Sequence, residues 1–277
     1  MTVTSSRPAT PDSYVPSRRT VLRAAAWTAP AVSVVVAVPA YAAASSPVAC
    51  ADANYQVRWA SHYNAQSRTA VAGLVSAAGA GTVGSAALTL SVTSRFFGDM
   101  EAGSTATTDG TYSNFALSPR TVGGTTMRGL TIMQRVKPGV RSFSGTRSSH
   151  RQEVTLQFNR PVSNLKFKLT DIDSMDPPQA NGQYQDRIWV SGAPAGTRAG
   201  GLSGAGTSGS PWRPTGTNTE YNPVSGAQGN VDVSYVNKPA SAVYTITYWN
   251  DQTGTLASRG LQGVFLTDLT FTASSCA

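Results

Sequence analysis

From residue 50 onward apolar and polar residues alternate with a period of two in segment after segment. Tyr55-Gln56-Val57-Arg58-Trp59 is the first. Ala87 to Thr93, Met127 to Val136 and Glu153 to Phe158 follow the same rule. So do Leu165 to Thr170, Arg187 to Val190, Val231 to Tyr235, Val243 to Trp249 and Val264 to Thr272. These runs are rich in Val, Thr, Phe and Tyr, which suit a half-buried pleated surface. Pro161 has no N–H for a ladder and is expected to end the strand before it. No stretch after residue 43 holds helical period over three turns. The pattern predicts nine or ten strands in an all-β fold. The simplest arrangement is an antiparallel two-sheet β-sandwich, jelly-roll-like, with long Gly/Ser-rich loops.

Two segments depart from that rhythm. Residues 73–84 are rich in Gly and Ala and read as a loop. Ser191–Asn230 is rich in Gly, Ser, Thr and Pro over some forty residues. Loops that long are uncommon in compact domains, so it is expected to be functional or to hide irregular strands around Trp212 and Tyr221. No repeat or linker divides residues 50–277, which are expected to form a single β-sandwich domain.

The N-terminus has another character. Ser17-Arg18-Arg19-Thr20-Val21-Leu22-Arg23 is followed by a largely apolar run from Ala24 to Val38, then Ala40-Tyr41-Ala42. Basic region, apolar region and small-x-small site come in the order of a twin-arginine export signal. Arg18 and Arg19 are its recognition pair and Ala42 its last residue. Residues 1–42 are thus expected to be a cleaved signal and 43–49 a short linker. The apolar run is shorter than the roughly 20 residues a membrane span needs and contains Pro30. No transmembrane anchor is expected in the mature form. Val48-Ala49-Cys50 resembles the end of a lipobox, but Pro47 stands where an aliphatic residue belongs. The expected location is secreted or at the cell surface.

Charged residues make up 13% of the chain, about half the usual share. Ser, Thr, Gly and Asn fill the surface instead, a pattern that suits exported β proteins. The formal charge is +8, and loss of residues 1–42 lowers it to about +5. The arginines are scattered and no basic helix appears, so no nucleic-acid partner is expected. The two cysteines, Cys50 and Cys276, bracket the mature domain. In an exported chain they are expected to form one disulfide, with the first and last strands as neighbours. The twin-arginine route carries folded proteins, so this bridge would close late.

Phe158-Asn159-Arg160-Pro161-Val162, a turn, and a second strand ending in Asp171-Ile172-Asp173 form a recognisable segment. It resembles bacterial exported β-sandwich surface proteins, in which a strand ends in F-x-x-P-V and the next in D-I-D. Tyr184-Gln185-Asp186-Arg187-Ile188 resembles the strand that follows there. The signal with its Ala-rich flanks is similar to those of exported proteins from high-GC Gram-positive bacteria. The resemblance implies fold and location and carries no catalytic residue.

Among residues able to do chemistry, the acidic cluster stands first. On an extended strand Asp171 and Asp173 would point to one side, roughly 7 Å apart. Asp176, Asn181 and Asp186 follow closely. Oxygen donors on a loop suit Ca²⁺, so these five are the expected metal ligands. The plainer reading is that they cap turns. Gly79-Ala80-Gly81-Thr82-Val83-Gly84 spells G-x-G-x-x-G but precedes a strand rather than following one, which argues against a dinucleotide site. No G-x-S-x-G occurs, and only His62 and His150 offer a base. Among the aromatics, Trp189 and one of Tyr248 and Trp249 are expected in the core. Trp212, flanked by Pro211 and Pro214, is expected to be exposed and, with Tyr221, to bind a ligand.

These readings converge on a secreted or cell-surface non-catalytic module, structural or binding, with Ca²⁺ as its candidate ion. The partner class is a cell-envelope glycan or protein. The alternative is a carbohydrate-binding module for envelope or environmental polysaccharide, and the third reading is an exported hydrolase.

Overall fold

Strand Arg151–Thr170 organises the molecule. The computed structural model describes residues 50–77, 87–140, 142–144, 149–175, 184–251, 253–255 and 261–275. The export signal with Arg18, Arg19 and Ala42, the linker, the G-x-G-x-x-G segment, Asp176, Asn181 and Cys276 lie outside the described residues. The main strands are β1 (Asp52–Val57), β2 (Thr69–Val71), β3 (Gly73–Ala77), β4 (Thr89–Phe97), β5 (Met100–Ala102) and β6 (Arg128–Val136). They continue with β7 (Arg151–Thr170), β8 (Tyr184–Val190), β9 (Ala195–Arg198) and β10 (Val231–Ser234). The last are β11 (Ser241–Asn250), β12 (Gln262–Leu266) and β13 (Leu269–Ser274). One four-residue helix, α1 (Trp59–His62), follows β1.

The expected break at Pro161 does not occur: β7 runs for 20 residues. Its first half buries Val154, Leu156 and Phe158, and its second half buries Leu165, Phe167 and Leu169. The inward positions thus change from even to odd numbers. Asn164 makes that change, in the left-handed region at φ 52, where Asn is tolerated better than most residues. Pro161 is exposed, and the β11 ladder skips from Gln157 to Val162, so its missing N–H costs no ladder bond.

The two halves of β7 serve different neighbours. Arg151–Phe158 lies between β4 and β11, and β2 and β8 pair outside these. The second half lies between β10 on one side and β13 and β12 on the other. Beyond β13 come β1 and β3, beyond β10 comes β9, and beyond β12 come β6 and β5. All of these pairings are antiparallel, and the fold is mostly β with a large antiparallel sheet. Phe158 on the first half meets Phe271 of β13 edge-on at 4.9 Å between centroids, joining the two sets of strands through the core.

The expected strand Val264–Thr272 is instead two, and Trp59 explains the break. Its Nε1–H donates to the Thr267 carbonyl at 2.8 Å, and its backbone N–H to Asp268 Oδ1 at 3.0 Å. Those bonds hold a corner between β12 and β13. Asp268 is also half-buried, and burial raises its pKa despite the Trp59 N–H.

The Ser191–Asn230 stretch does hide short strands, as one of its two readings expected. It also overturns an expectation. Trp212 is only 1% exposed and belongs to the main core. Its N–H donates to the Ile188 carbonyl at 2.8 Å, and it accepts in return from Ile188. A Cβ at Gly196 or Gly206 would stand 2.2 Å from Cζ2 of the indole. The glycines are there to let the backbone close over a large buried ring. Flanking prolines were a poor guide to exposure.

At the other end of the domain, β1 pairs with β13 from Asp52↔Ser274 to Val57↔Leu269, so the first and last strands are neighbours. Ser275 N–H donates to the Ala51 carbonyl at 2.8 Å, and Cys50 is disulfide-bonded.

Candidate functional site

Asp171 follows the last residue of β7 with φ 68, so the strand has already ended. The expectation that Asp171 and Asp173 share one face of an extended strand therefore fails in its geometry. The chain turns, buries Ile172 and anchors it by an N–H bond to the Gly229 carbonyl at 3.1 Å. Both aspartates still reach one place, because the apolar residue between them is pinned into the core.

That place is a cleft of about 190 Å³. Asp171, Asp173 and Glu220 line it with Tyr184 from the start of β8. Tyr112, Thr105 and Thr107 come from the hairpin Ser104–Thr107/Gly110–Ser113. Met133, Leu261 and Phe265 add apolar wall from β6, the residue before β12, and β12. Tyr112 and Phe265 are packed at 5.7 Å between ring centroids.

Asp186 sits behind this cleft, with no exposure. Its N–H donates to the Asp173 carbonyl at 3.0 Å, and its Oδ2 accepts from Asp173 N–H at 3.2 Å. Its Oδ1 accepts from the Tyr248 hydroxyl at 2.8 Å and from the Gln262 amide at 3.2 Å. Gln262 in turn accepts from Asn250 N–H at 3.0 Å and Gln134 Nε2 at 2.7 Å. Asp173 Oδ2 accepts from Tyr221 N–H at 2.9 Å, and the Tyr184 hydroxyl bonds to Asp173 as well. Asp171 differs from both: its Oδ1 is buried with no hydrogen-bond partner among the described residues.

The carboxyls hold their protons well above the usual range. Burial is the main cause for all three. For Asp171 the charges of Asp173, Asp186 and Glu220 add to it. Asp173 is pushed up to about 7, against the opposing pull of the Tyr221 N–H and the Tyr184 hydroxyl. For Asp186, Asp173 adds to the rise, while Tyr248, the Asp173 N–H and the Arg187 charge oppose it. Tyr184 and Tyr248 are raised too, by burial first and then by these carboxylates.

The expected site residues divide accordingly. Asp171, Asp173 and Asp186 come together, but by a turn after β7 rather than by sharing one strand face. Of the five expected calcium ligands, Asp176 and Asn181 lie outside the described residues. Both oxygens of Asp186 are engaged by protein donors. Among the described residues no three His, Cys, Asp or Glu side chains are grouped to hold a metal ion. Trp212 is a core residue. Tyr221 contributes its backbone N–H to Asp173, while its hydroxyl donates to the Gly201 carbonyl at 3.4 Å. Tyr112, Tyr184 and Gln262 are the residues that sequence reading missed. Tyr184 carried a signal, standing two residues before Asp186 in a strand. Tyr112 and Gln262 carried none, since distant turns bring them here.

A Ser-His-Asp contact also exists elsewhere. His150 Nδ1 lies 2.8 Å from Ser149 Oγ and Nε2 lies 3.3 Å from Asp99 Oδ2. Asp99 is half exposed, so this pair is open to water rather than set in a dry site.

Comparison with protein-family models, curated proteins and solved structures finds no match for the chain.

Proposed function

We propose that this is an exported, non-catalytic β-sandwich module that binds a small polar ligand in the cleft at the end of β7. The two sets of strands sharing β7 are read as the two leaves of the sandwich. The observation that carries the functional reading is the cleft's composition: Asp171, Asp173 and Glu220 line it together with Tyr112, Tyr184 and Phe265. Concave sites with apolar walls and a few convergent polar groups are where small molecules bind. Carboxyl pKa values displaced by burial and by one another mark such sites. Export rests on the Arg18-Arg19 signal, and the envelope or its surroundings would supply the ligand.

The carbohydrate-binding alternative draws on the same cleft, because tyrosine rings and the Thr105 and Thr107 hydroxyls suit a sugar. A thermal-shift panel of neutral and charged saccharides tests the reading. Thr107 is exposed, so Thr107→Trp should obstruct the cleft while leaving the fold intact. Loss of binding in that variant is expected, and undiminished binding removes the cleft as the site. Turnover of a panel member would replace binding by hydrolysis, for which Asp173 is the acid candidate. Replacing Arg18-Arg19 with Lys-Lys should trap precursor in the cell, and normal export of that variant rejects the twin-arginine assignment.

A further inference from the structure

We infer that the corner where β4, β6 and β7 meet is a docking surface for a polyanionic chain of the cell envelope, one bearing a phosphate or carboxylate on each repeat. It shares no residue with the lining of the cleft at the end of β7 and goes beyond the reading given to that cleft. The first observation is in the sequence. No Asp or Glu occurs from Gly110 to Gln152, while that stretch carries seven Lys and Arg, with Arg135, Lys137 and Arg151 among them. Arg141 and Arg147 lie outside the described residues and are no part of the surface. The fold then brings the described cations together. β6 ends at Val136 opposite Met100, and Lys137 N–H donates to the Asp99 carbonyl at 2.7 Å. β7 begins with Arg151 opposite Phe97 at the end of β4. The turn Gly98-Asp99 lies between these strand ends.

Each carboxylate at this corner already has a partner. Asp99 faces His150 at 3.3 Å, Glu101 pairs with Arg135 at 2.8 Å, and Glu153 pairs with Arg151 at 2.8 Å. Arg95 and Lys137 have no ion pair among the described residues. Even with His150 neutral, cations outnumber carboxylates here. The second observation is how Arg95 is held. Its Cζ lies 4.5 Å from the centroid of the Phe97 ring, and Cζ of Arg151 lies 3.6 Å from the same centroid. Two guanidiniums thus share one ring, and Glu153, opposite Arg95 in register, serves Arg151. Like charges gathered this closely repel, and a bound anion relieves that repulsion. A ring under a guanidinium fixes its plane and leaves its N–H donors to meet an oxyanion as a planar fork. Arg95 and Lys137 are both exposed.

A chain fits this surface better than a single ion. Lys137 Nζ donates to the Gly98 carbonyl at 2.9 Å. It therefore meets the chain three residues beyond Arg95, roughly 10 Å along an extended strand. Cations spread in that way match charges that repeat along a polymer, whereas one small anion needs them to converge. Each contact at an open surface is weakened by salt, so repetition along the chain has to supply the avidity. The export reading supplies the place where such chains are met.

The test is equilibrium titration of the exported protein at pH 7.5 and about 0.05 M salt with polygalacturonate, poly(glycerol phosphate) and uncharged dextran. At least one anionic polymer should bind, with an affinity that falls several-fold by about 0.2 M salt, and dextran should not. The tighter of the two names carboxylate or phosphate as the oxyanion. Arg95→Gln should weaken binding several-fold with the melting midpoint unchanged. Arg95→Lys keeps the charge and loses the planar fork, so its affinity should fall between the two. Lys166→Gln removes one charge from an exposed site on the second half of β7 and should leave affinity unchanged. Equal losses in the Arg95→Gln and Lys166→Gln variants would mean that net charge alone attracts the polymer, and would overturn the surface. An unchanged affinity in Arg95→Gln, no binding of either anionic polymer, or tighter binding of a single-stranded DNA oligonucleotide would overturn it as well. Thr107→Trp obstructs the cleft and not this corner, so it should bind the polymer as the parent does. Loss of polymer binding in that variant would place the polymer in the cleft and reject the corner.

Discussion

The Tyr248 hydroxyl donates to Asp186 Oδ1 at 2.8 Å with both side chains fully buried. The two residues stand on adjacent strands in diagonal register, since Asp186 is opposite Asn250 and Tyr248 opposite Ile188. The bond ties the floor of the acidic cleft to the centre of the sheet. Tyr248→Phe would leave Asp186 Oδ1 with only the Gln262 donor. The expected cost is about 1–3 kcal/mol, read as a lower midpoint in denaturant unfolding at unchanged slope. An unchanged midpoint would mean that Asp186 needs only Gln262.

Asp171, Asp173 and Asp186 make stability depend on pH in an unusual direction. Their folded pKa values lie above the ordinary value of 3.8, so the native state binds more protons than the unfolded chain between those limits. Their contribution is fully present below about pH 3.8 and is lost as pH rises, for Asp173 through about 7. Melting temperatures measured from pH 4.5 to 8 should therefore fall in the wild type relative to Asp173→Asn. A gap between the two that stays constant or widens in the wild type's favour as pH rises would contradict the assignment.

Trp212 separates a core role from a ligand role. Trp212→Ala removes a buried indole against which Gly196 and Gly206 are closed, and is expected to cost about 3–5 kcal/mol. Thermal melting should show the loss with no ligand present. A variant that melts like the parent but loses saccharide binding would restore the exposed-ligand reading.

Cys50 should be a late staple rather than a condition of folding. The β1–β13 ladder already joins the two ends of the domain through six residue pairs. A Cys50→Ser, Cys276→Ser variant is expected to fold and be exported, with stability lower by up to about 5 kcal/mol. Intact-mass analysis after alkylation checks the pairing, and two free thiols in the exported protein would disprove it. Failure of the double variant to fold in the cytosol would disprove the late closure.

Period-two alternation determined most of what is local here. It marked the longer strands, because burying one face of a strand leaves its signature at every second residue, but not β2, β5 or β9, nor β3, which lies in the stretch 73–84 expected to be a loop. It also placed Asp171, Asp173 and Asp186 near enough in the chain to meet. What it could not carry was the parity change at Asn164, since one left-handed residue redirects a strand without altering its composition. Nor could it carry the split between β12 and β13, which is made by Trp59 some two hundred residues away. Trp212 looked exposed because prolines and glycines mark turns, yet those glycines are the space the indole fills. Tyr112 and Gln262 join the acidic cluster through contacts between distant segments. Burial, which raises the carboxyl pKa values, is a property of the whole packed molecule, so only the tertiary structure could set Asp171 and Asp173 on a cleft wall with Asp186 behind it.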